Sequence, residues 1–329
     1  MKHLKTLCLL LLSTSLIANP SHHIKETEAD VIINQVYQSI KPYHTQSMVE
    51  RIKTISAKFL GKPYILGALG EGLHSRYDQY PLYRTDGFDC ETFVTTVLTL
   101  ALADDLPVFK TCIRHLRYQQ GKVAYIHRNH FTELDWNNNQ QQMGLLEDIT
   151  KTIVNQQQKP IYLIATATIN RPAWIQHRPQ SAIRLNRPNA KKSALRITEL
   201  HQKAPLTKIE ISTLPYLPFT ALFNKNGQAN LDIFKQIPDA AVIEIVRPNW
   251  NLKNAIGTNL NVSHLGFGIW KDGTLYFREA SSVENKVIDI PLTTYLKDYL
   301  NSDTIKGINI QKIVLHNTVR TNRNCTVVR

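Results

Sequence analysis

Beyond its first 18 residues the chain lacks any apolar run of the roughly 18 residues that a membrane-crossing helix needs. It lacks internal repeats and Gly/Ser-rich linkers, which excludes a repeat array and a string of tethered domains. Its basic residues never form a run of five, and no RNP or zinc-finger pattern occurs, so no nucleic-acid signature is present. An HExxH helix and clustered Cys/His at ligand spacing are also missing, which counts against zinc-assisted chemistry. Cysteine is scarce, with 4 in 329 residues. What remains, 43% hydrophobic and 20% charged, is the profile of a globular chain with a sizeable core, as one large domain or two medium ones.

The first 18 residues, MKHLKTLCLLLLSTSLIA, stand apart. Lys2 and Lys5 form a basic start, residues 7–12 a short apolar stretch, and small residues follow, the pattern of a secretory signal. Cleavage is expected after Ala18, although Leu16 is large for its place, and the mature protein is expected to be soluble and exported. Cys8 leaves with the signal; it lies too early, in the wrong surroundings, for a lipoprotein cysteine. Cys90, Cys112 and Cys325 remain, an odd number in an oxidising compartment. Cys112 with Cys325 is one available bridge, which leaves Cys90 as the odd thiol. The formal net charge of +13 falls by two when Lys2 and Lys5 go, to +11. That balance suits an anionic partner such as cell-wall material, a membrane surface or nucleic acid, and equally serves solubility.

Residues 26–60 read as two helices, the second opened by Ser47 and Glu50 in a capping-box pattern. Met48, Ile52, Ile55 and Phe59 recur as one helical stripe, and Gly61 stops it. Residues 62–88 form a long glycine-rich loop, which inside a compact domain is usually functional. Helix resumes at Cys90, and another covers residues 108–119. Residues 160–169 look like a strand, followed by a basic, proline-punctuated stretch whose structure the pattern does not define. Residues 241–246, 264–270, 274–278, 287–290 and 308–315 read as short strands. Helices first and antiparallel strands later make an α+β fold.

Two residues stand out chemically. Asp89 is a good N-cap, which puts Cys90 in the first turn of its helix. There the orphan amides and the positive end of the macrodipole lower a thiol pKa and offer N–H groups to an oxyanion. The same pattern fits an inert core thiol, since cysteine is among the most buried residue types. Of 12 histidines, His264 opens the segment SHLGFGI at residues 263–269. Side chains at 264, 266 and 268 share one strand face. Glycine at 266 and 268 should leave open space beside the imidazole, as a substrate cleft needs. A structural histidine fits the strand as well.

The stretches GKPYILG (61–67), FDCETFV (88–94) and SHLGFG (263–268) come in the order and style of the NlpC/P60 cysteine peptidases, which this chain resembles. It is more similar to one branch, the DUF1460 family of N-acetylmuramoyl-L-alanine amidase-like proteins. That similarity lies in LGALGEG (66–72), YDQYPLYR (77–84), VRPNW (246–250) and IGTNLNVSH (256–264). It covers residues 45–315 in patches and is weakest between 137 and 235.

The resemblance implies a papain-like fold, with the helix of the cysteine packed on a small antiparallel sheet or barrel. A single catalytic domain would cover residues 24–316. Its parts would be a helical region (24–135) with Cys90, a family-specific insertion (136–207) and a β region (208–316) with His264; residues 317–329 would be a tail. Cys90 looks like the nucleophile, His264 the base, and Tyr64 the tyrosine that assists the oxyanion site. The branch is expected to carry a histidine before Ala-Ser-Ser as the group that orients the base. Here Glu279 takes that place; a carboxylate can hold the Nδ1–H of the base, or it can pair with a surface lysine or arginine. Tyr83, Arg84 and Asp86 ahead of the nucleophile, His130, the trio Arg247, Asn249 and Trp250, and Ser263 are candidate substrate contacts. An arginine fork there would suit the carboxylates of stem peptides.

The implied reaction is hydrolysis of an amide in a peptidoglycan fragment, between N-acetylmuramic acid and L-alanine, through a thiolate and an acyl-enzyme. Neither metal nor organic cofactor is implied. The implied partner is a muropeptide, with no nucleic acid and no transmembrane segment; the protein would be bacterial and periplasmic or secreted, with its oligomeric state open and a monomer favoured. Two alternatives stay open: the γ-D-glutamyl–diamino acid bond as the one cut, and a cell-wall binding protein without turnover. The exported protein is expected to begin at Asn19, which N-terminal sequencing of the mature chain checks.

Overall fold

The computed structural model describes residues 22–40, 47–314 and Cys325. The expected signal sequence lies outside the described residues, as does the tail 317–329 apart from Cys325. Four helices lead: α1 (His22–Ile40), α2 (Met48–Ala57), α3 (Cys90–Leu102) and α4 (Leu106–Arg117). Ser47 caps α2, its hydroxyl accepting the Glu50 N–H at 3.2 Å, while the Glu50 carboxylate contacts Lys53. The stripe expected on this helix is buried throughout, from Met48 to Phe59.

Helix α3 is buried on all sides from Thr92 to Leu102, as a helix apolar around its whole circumference should be. Phe93 meets Phe88 and Phe267 edge-on, with centroids 5.8 and 5.9 Å apart. Phe267 carries this packing into the sheet, and its truncation to alanine would remove about 3–5 kcal/mol. On α4, Cys112 is bridged to Cys325.

Eight strands form one sheet: β1 (Leu146–Asp148), β2 (Leu163–Asn170), β3 (Ile209–Pro218), β4 (Ala241–Leu252), β5 (Thr258–Lys271), β6 (Thr274–Ser281), β7 (Lys286–Pro291) and β8 (Gly307–Ile313). Their order is β2-β3-β8-β4-β5-β6-β7, with β1 also on β8, and every pairing is antiparallel. The α+β class is as expected. The segment 136–207 contributes β1 and β2 to this same sheet, and its proline-punctuated stretch forms helices Arg171–Gln176 and Ala190–His201, packed in a third core with Tyr77, Tyr125, Phe131 and Ile256. Alternation along β5 sends Leu265, Phe267 and Ile269 to the core shared with α1–α4. A second core, around Ile243, Ile245 and Phe277, includes Leu292 and Leu296 from the helix Leu292–Lys297.

On the central strand β4, paired on both sides, Glu244 is fully buried. Its Oε2 accepts from Asn137 Nδ2 at 3.2 Å, while Oε1 has no hydrogen-bond partner among the described residues. Burial, aided by the charges of Asp148 and Glu133, pushes its carboxyl up to about 8. The folded chain therefore holds a proton that the unfolded chain releases near pH 4.5. The stabilisation is complete below that pH and is lost as pH rises to about 8, at roughly 1.4 kcal/mol per unit. Glu244→Gln keeps the shape and removes the ionisation. It is expected to raise the melting temperature by several degrees at pH 8 and to leave it near wild type at pH 5, as read by calorimetry.

Candidate active site

The N-terminus of α3 is built around Asp89. Its Oδ1 accepts the Thr92 N–H at 2.9 Å, and Thr92 Oγ1 accepts the Asp89 N–H at 2.9 Å, a complete capping box. Its Oδ2 accepts the amides of Gly67 and Ala68 at 3.1 and 3.3 Å, so one carboxylate ties the glycine-rich loop to the helix. Cys90 is the first residue of that helix, half-buried and outside any disulfide. Tyr64 forms a bridge with Phe88, two residues before Cys90, flanked by Ile65 N–H to Phe88 O at 2.8 Å and Phe88 N–H to Pro63 O at 3.0 Å. The backbone thus brings Tyr64 beside the start of α3.

The loop is held from its far side by Arg184. Its Nε donates to Asp78 Oδ1 at 2.9 Å, Nη1 to Gly67 O, and Nη2 to Leu69 O at 2.9 Å and to Asp78. Arg128 adds a bond to Asp78 and one to Glu71, both at 3.0 Å. Burial opposes ionisation of Asp78, but the two guanidinium groups outweigh it and hold its carboxyl below the usual range.

His264 lies on β5 opposite Ile245 and is 7% exposed. Its Nε2 is hydrogen-bonded to Glu279 Oε2 on β6. The expectation placed the carboxylate at Nδ1; the structure puts it on Nε2. The ring also hydrogen-bonds the Cys90 side chain, which leaves Nδ1 as the nitrogen for the thiol. Burial lowers the histidine pKa, but the charges of Glu279 and then Cys90 overcome it and raise it well above the usual value. The ring is further enclosed by Phe277, at 5.7 Å between centroids, and by Tyr295, at 6.4 Å and 25°. Glu279 is aimed by its neighbour: Arg278, on the opposite strand face, donates to Asp289 twice, to Ser56 Oγ at 2.8 Å and to Lys53 O at 3.1 Å. The pair Arg278–Asp289 thereby fastens β6 to α2.

The glycines beside His264 do not open space. A Cβ on Gly266 would stand 2.7 Å from the Phe277 ring and 2.6 Å from Arg278 O, and one on Gly268 would stand 2.8 Å from Ile243. They let neighbouring side chains close onto the strand. The cleft lies elsewhere, bordered by Arg247, Ser263, His264, Glu279, Tyr295 and Tyr299.

The other expected contacts divide. Ser263 and Arg247 border the cleft, and Arg247 stacks on Trp250 with its guanidinium carbon 3.7 Å from the ring centroid. Asn249 sits at φ +50° where the β4–β5 register shifts, and its side-chain Oδ1 accepts from Asn259 Nδ2 at 2.6 Å. Tyr83 is buried and donates to Asp30 at 2.7 Å, a brace between loop and α1. Arg84 grips Asp86 with two bonds of 2.7 Å. Burial would raise the Asp86 carboxyl, but Arg84 and Lys25 bring it down to about 2. His130 packs between Tyr125 and Trp174, its Nε2 2.7 Å from the Tyr125 carbonyl, and burial followed by the Arg128 charge depresses its pKa. Tyr295 and Tyr299, which border the cleft, are not visible from the sequence, because nothing in their local pattern separates them from ordinary surface residues.

An α+β chain with an antiparallel sheet thus carries a buried histidine–carboxylate pair against a cysteine at a helix start. The AmiA-like family model, described as N-acetylmuramoyl-L-alanine amidase-like, matches residues 54–304, and the chain belongs to that family. A crystal structure of a Legionella pneumophila protein of the DUF1460 family is 49% identical, covering 90% of this chain and 97% of its own, with a TM-score of 0.87. An N-acetylmuramoyl-L-alanine amidase from Bacteroides uniformis is 22% identical over 82% of this chain and 99% of its own, at a TM-score of 0.55. A Bacteroides fragilis protein designated a xylanase is 24% identical over 79% of this chain and 100% of its own, at 0.53. The last two share the fold. No curated protein matches the chain.

If the Glu279 charge holds His264 protonated, Glu279→Gln lowers the pH at which the imidazolium is lost, and with it the thiolate share. Alkylation of Cys90 by iodoacetamide at pH 6 is then expected to slow about tenfold or more, since one pKa unit is tenfold. A rate profile from pH 5 to 9 checks this.

Proposed function

We propose that the protein is an exported cysteine-dependent amidase of papain-like NlpC/P60 type. It would cleave the amide between N-acetylmuramic acid and L-alanine in a peptidoglycan fragment. The observation that carries the proposal is the His264 ring held between Glu279 and Cys90, in a chain of an amidase-like family. The Cys112–Cys325 bridge suits an oxidising compartment, and a net charge of +13, or +11 once Lys2 and Lys5 leave with the signal, suits an anionic wall polymer.

In this mechanism the Cys90 thiolate attacks the amide carbonyl carbon and forms the C–S bond. The oxyanion lies at the start of α3, near the Cys90 amide, with Tyr64 at the same end of the helix. His264 passes the Nδ1 proton to the amide nitrogen, the C–N bond breaks, and the peptide leaves as an amine. The neutral ring then takes a proton from water, whose hydroxyl attacks the thioester. The acid departs and the thiolate–imidazolium pair is restored. Glu279 holds the ring through Nε2.

A defined muropeptide incubated with the enzyme is expected to yield a lactoyl-sugar acid and an intact peptide, identified by mass. A shortened muropeptide would instead assign the γ-D-glutamyl bond. Cys90→Ala is expected to lower turnover at least roughly 10⁴-fold without lowering the melting temperature by more than a few degrees. Turnover retained in this variant would refute the thiolate mechanism.

A further inference from the structure

We propose that a second cavity, apart from the cleft of His264, binds a small hydroxylated anion, a sugar acid or a sugar phosphate. The cavity holds about 290 Å³ between three segments that lie far apart in the chain. They are Arg76 and Tyr77 of the glycine-rich loop, the short turn Tyr125–His127, and Lys203 just past the helix Ala190–His201. This volume is at the lower end for ligand sites, roughly 300 Å³, and limits the ligand to about the size of a single sugar. The cavity shares no residue with the cleft that His264 and Glu279 border. Its ligand is therefore independent of the amidase function proposed above.

The wall of the cavity is preformed. Tyr77 meets Tyr125 edge-on with centroids 6.0 Å apart, and Tyr125 stacks on Trp174 at 6.1 Å and 25°. His130 Nε2, 2.7 Å from the Tyr125 carbonyl, helps to hold the turn. Tyr77 and Tyr125 are only 7% and 3% exposed, yet neither hydroxyl has a hydrogen-bond partner among the described residues. Buried tyrosine hydroxyls usually find one. Each can donate and accept, so two unmatched hydroxyls on residues of a cavity wall suit a ligand that carries hydroxyls itself.

The charge at this wall is positive and incompletely matched. Arg76 is fixed by three bonds to Glu199, and its carbonyl accepts from Arg196. Arg196 is 8% exposed and has no carboxylate within ion-pair distance among the described residues. Lys203 and His127 make neither a side-chain hydrogen bond nor an ion pair there. Two guanidinium groups and one ammonium are thus set against a single carboxylate. The nearby Asp78 and Glu71 are already taken by Arg184 and Arg128. A buried cation without a counter-charge is costly, and an anion in the cavity supplies that charge. Carboxylate and phosphate both do so through charge-assisted hydrogen bonds.

Calorimetric titration of the whole protein with D-glucuronate, glucose 6-phosphate and neutral glucose tests this. At least one of the two anions is expected to bind with a Kd below about 1 mM. It should bind at least roughly tenfold more tightly than glucose, the range of one charge-assisted hydrogen bond. The tighter of the two identifies carboxylate or phosphate as the preferred group. Lys203→Met removes the ammonium and should weaken the anion about tenfold. Tyr125→Phe removes a hydroxyl, keeps the ring on Trp174, and should weaken it about threefold. The rate of Cys90 alkylation is expected to stay at the wild-type value in both variants, as it does where the fold is intact. Absence of anion binding to wild type, or equal binding of glucose, overturns the proposal without any variant. Anion binding that is unchanged in both Lys203→Met and Tyr125→Phe overturns it as well. None of these outcomes bears on amide cleavage, which the muropeptide digest reads separately.

Discussion

The carboxylate of Asp89 is the joint on which the rest of the site depends. One of its oxygens starts helix α3, and the other receives two amides of the loop at residues 62–88. A helix N-terminus leaves four N–H groups without intrahelical partners. Asp89 satisfies one of these and spends its remaining capacity on a distant segment, so the place where Cys90 begins its helix and the place where the loop passes are a single geometric fact. The loop is fixed on its other side by Arg184, from the segment between 136 and 207. The middle of the chain, which reads as a separate insertion, therefore shapes the surroundings of the proposed nucleophile through main-chain carbonyls at Gly67 and Leu69.

Two ways of burying a carboxylate coexist in the molecule. Asp78 meets two guanidinium groups and remains ionised. Glu244 meets one amide and is driven towards its neutral form, as is Glu133, pushed up to about 7 by burial. The difference follows from the charge of the donors, guanidinium for Asp78 and neutral amides for Glu244 and Glu133, because a buried charge costs several kcal/mol unless an opposite charge meets it. His264 is likewise decided by its charged neighbours. Burial alone would neutralise the ring, and the adjoining carboxylate reverses that outcome.

Much of this was legible in the sequence where the signal was local. Ser47, Asp89 and the stripe on α2 announce their helices through capping and period alone, and β4 to β8 show as apolar runs between turns. Strand β3 was not seen, since its exposed Ile209 and Ile211 break the alternation that marks a half-buried strand. Cys90 and His264 could be paired only through motif order, because 174 residues separate them in the chain and no local pattern encodes that contact. The glycines at 266 and 268 misled for a related reason. A missing side chain reads as space in one strand, but neighbouring strands decide who fills it, here Phe277 and Ile243. Tyr83 and Arg84 sat close to Cys90 in sequence, yet their partners, Asp30 and Asp86, turn them into braces of the loop.

Residues 278 and 279 show how one strand serves both stability and the site. Alternation sends the Arg278 side chain to one face, where Asp289, Ser56 and Lys53 O take its donors, and Glu279 to the other, where His264 waits. A shift of β6 by one residue would exchange the two, setting a cation against His264 and an acid against Asp289. Each misplaced charge would be buried without its partner, at a cost of several kcal/mol. The register of β6 is therefore enforced by the same two charges that define the site. A carboxylate is better suited to this than a neutral group would be, because it makes the wrong register electrostatically untenable while it holds the proton on His264.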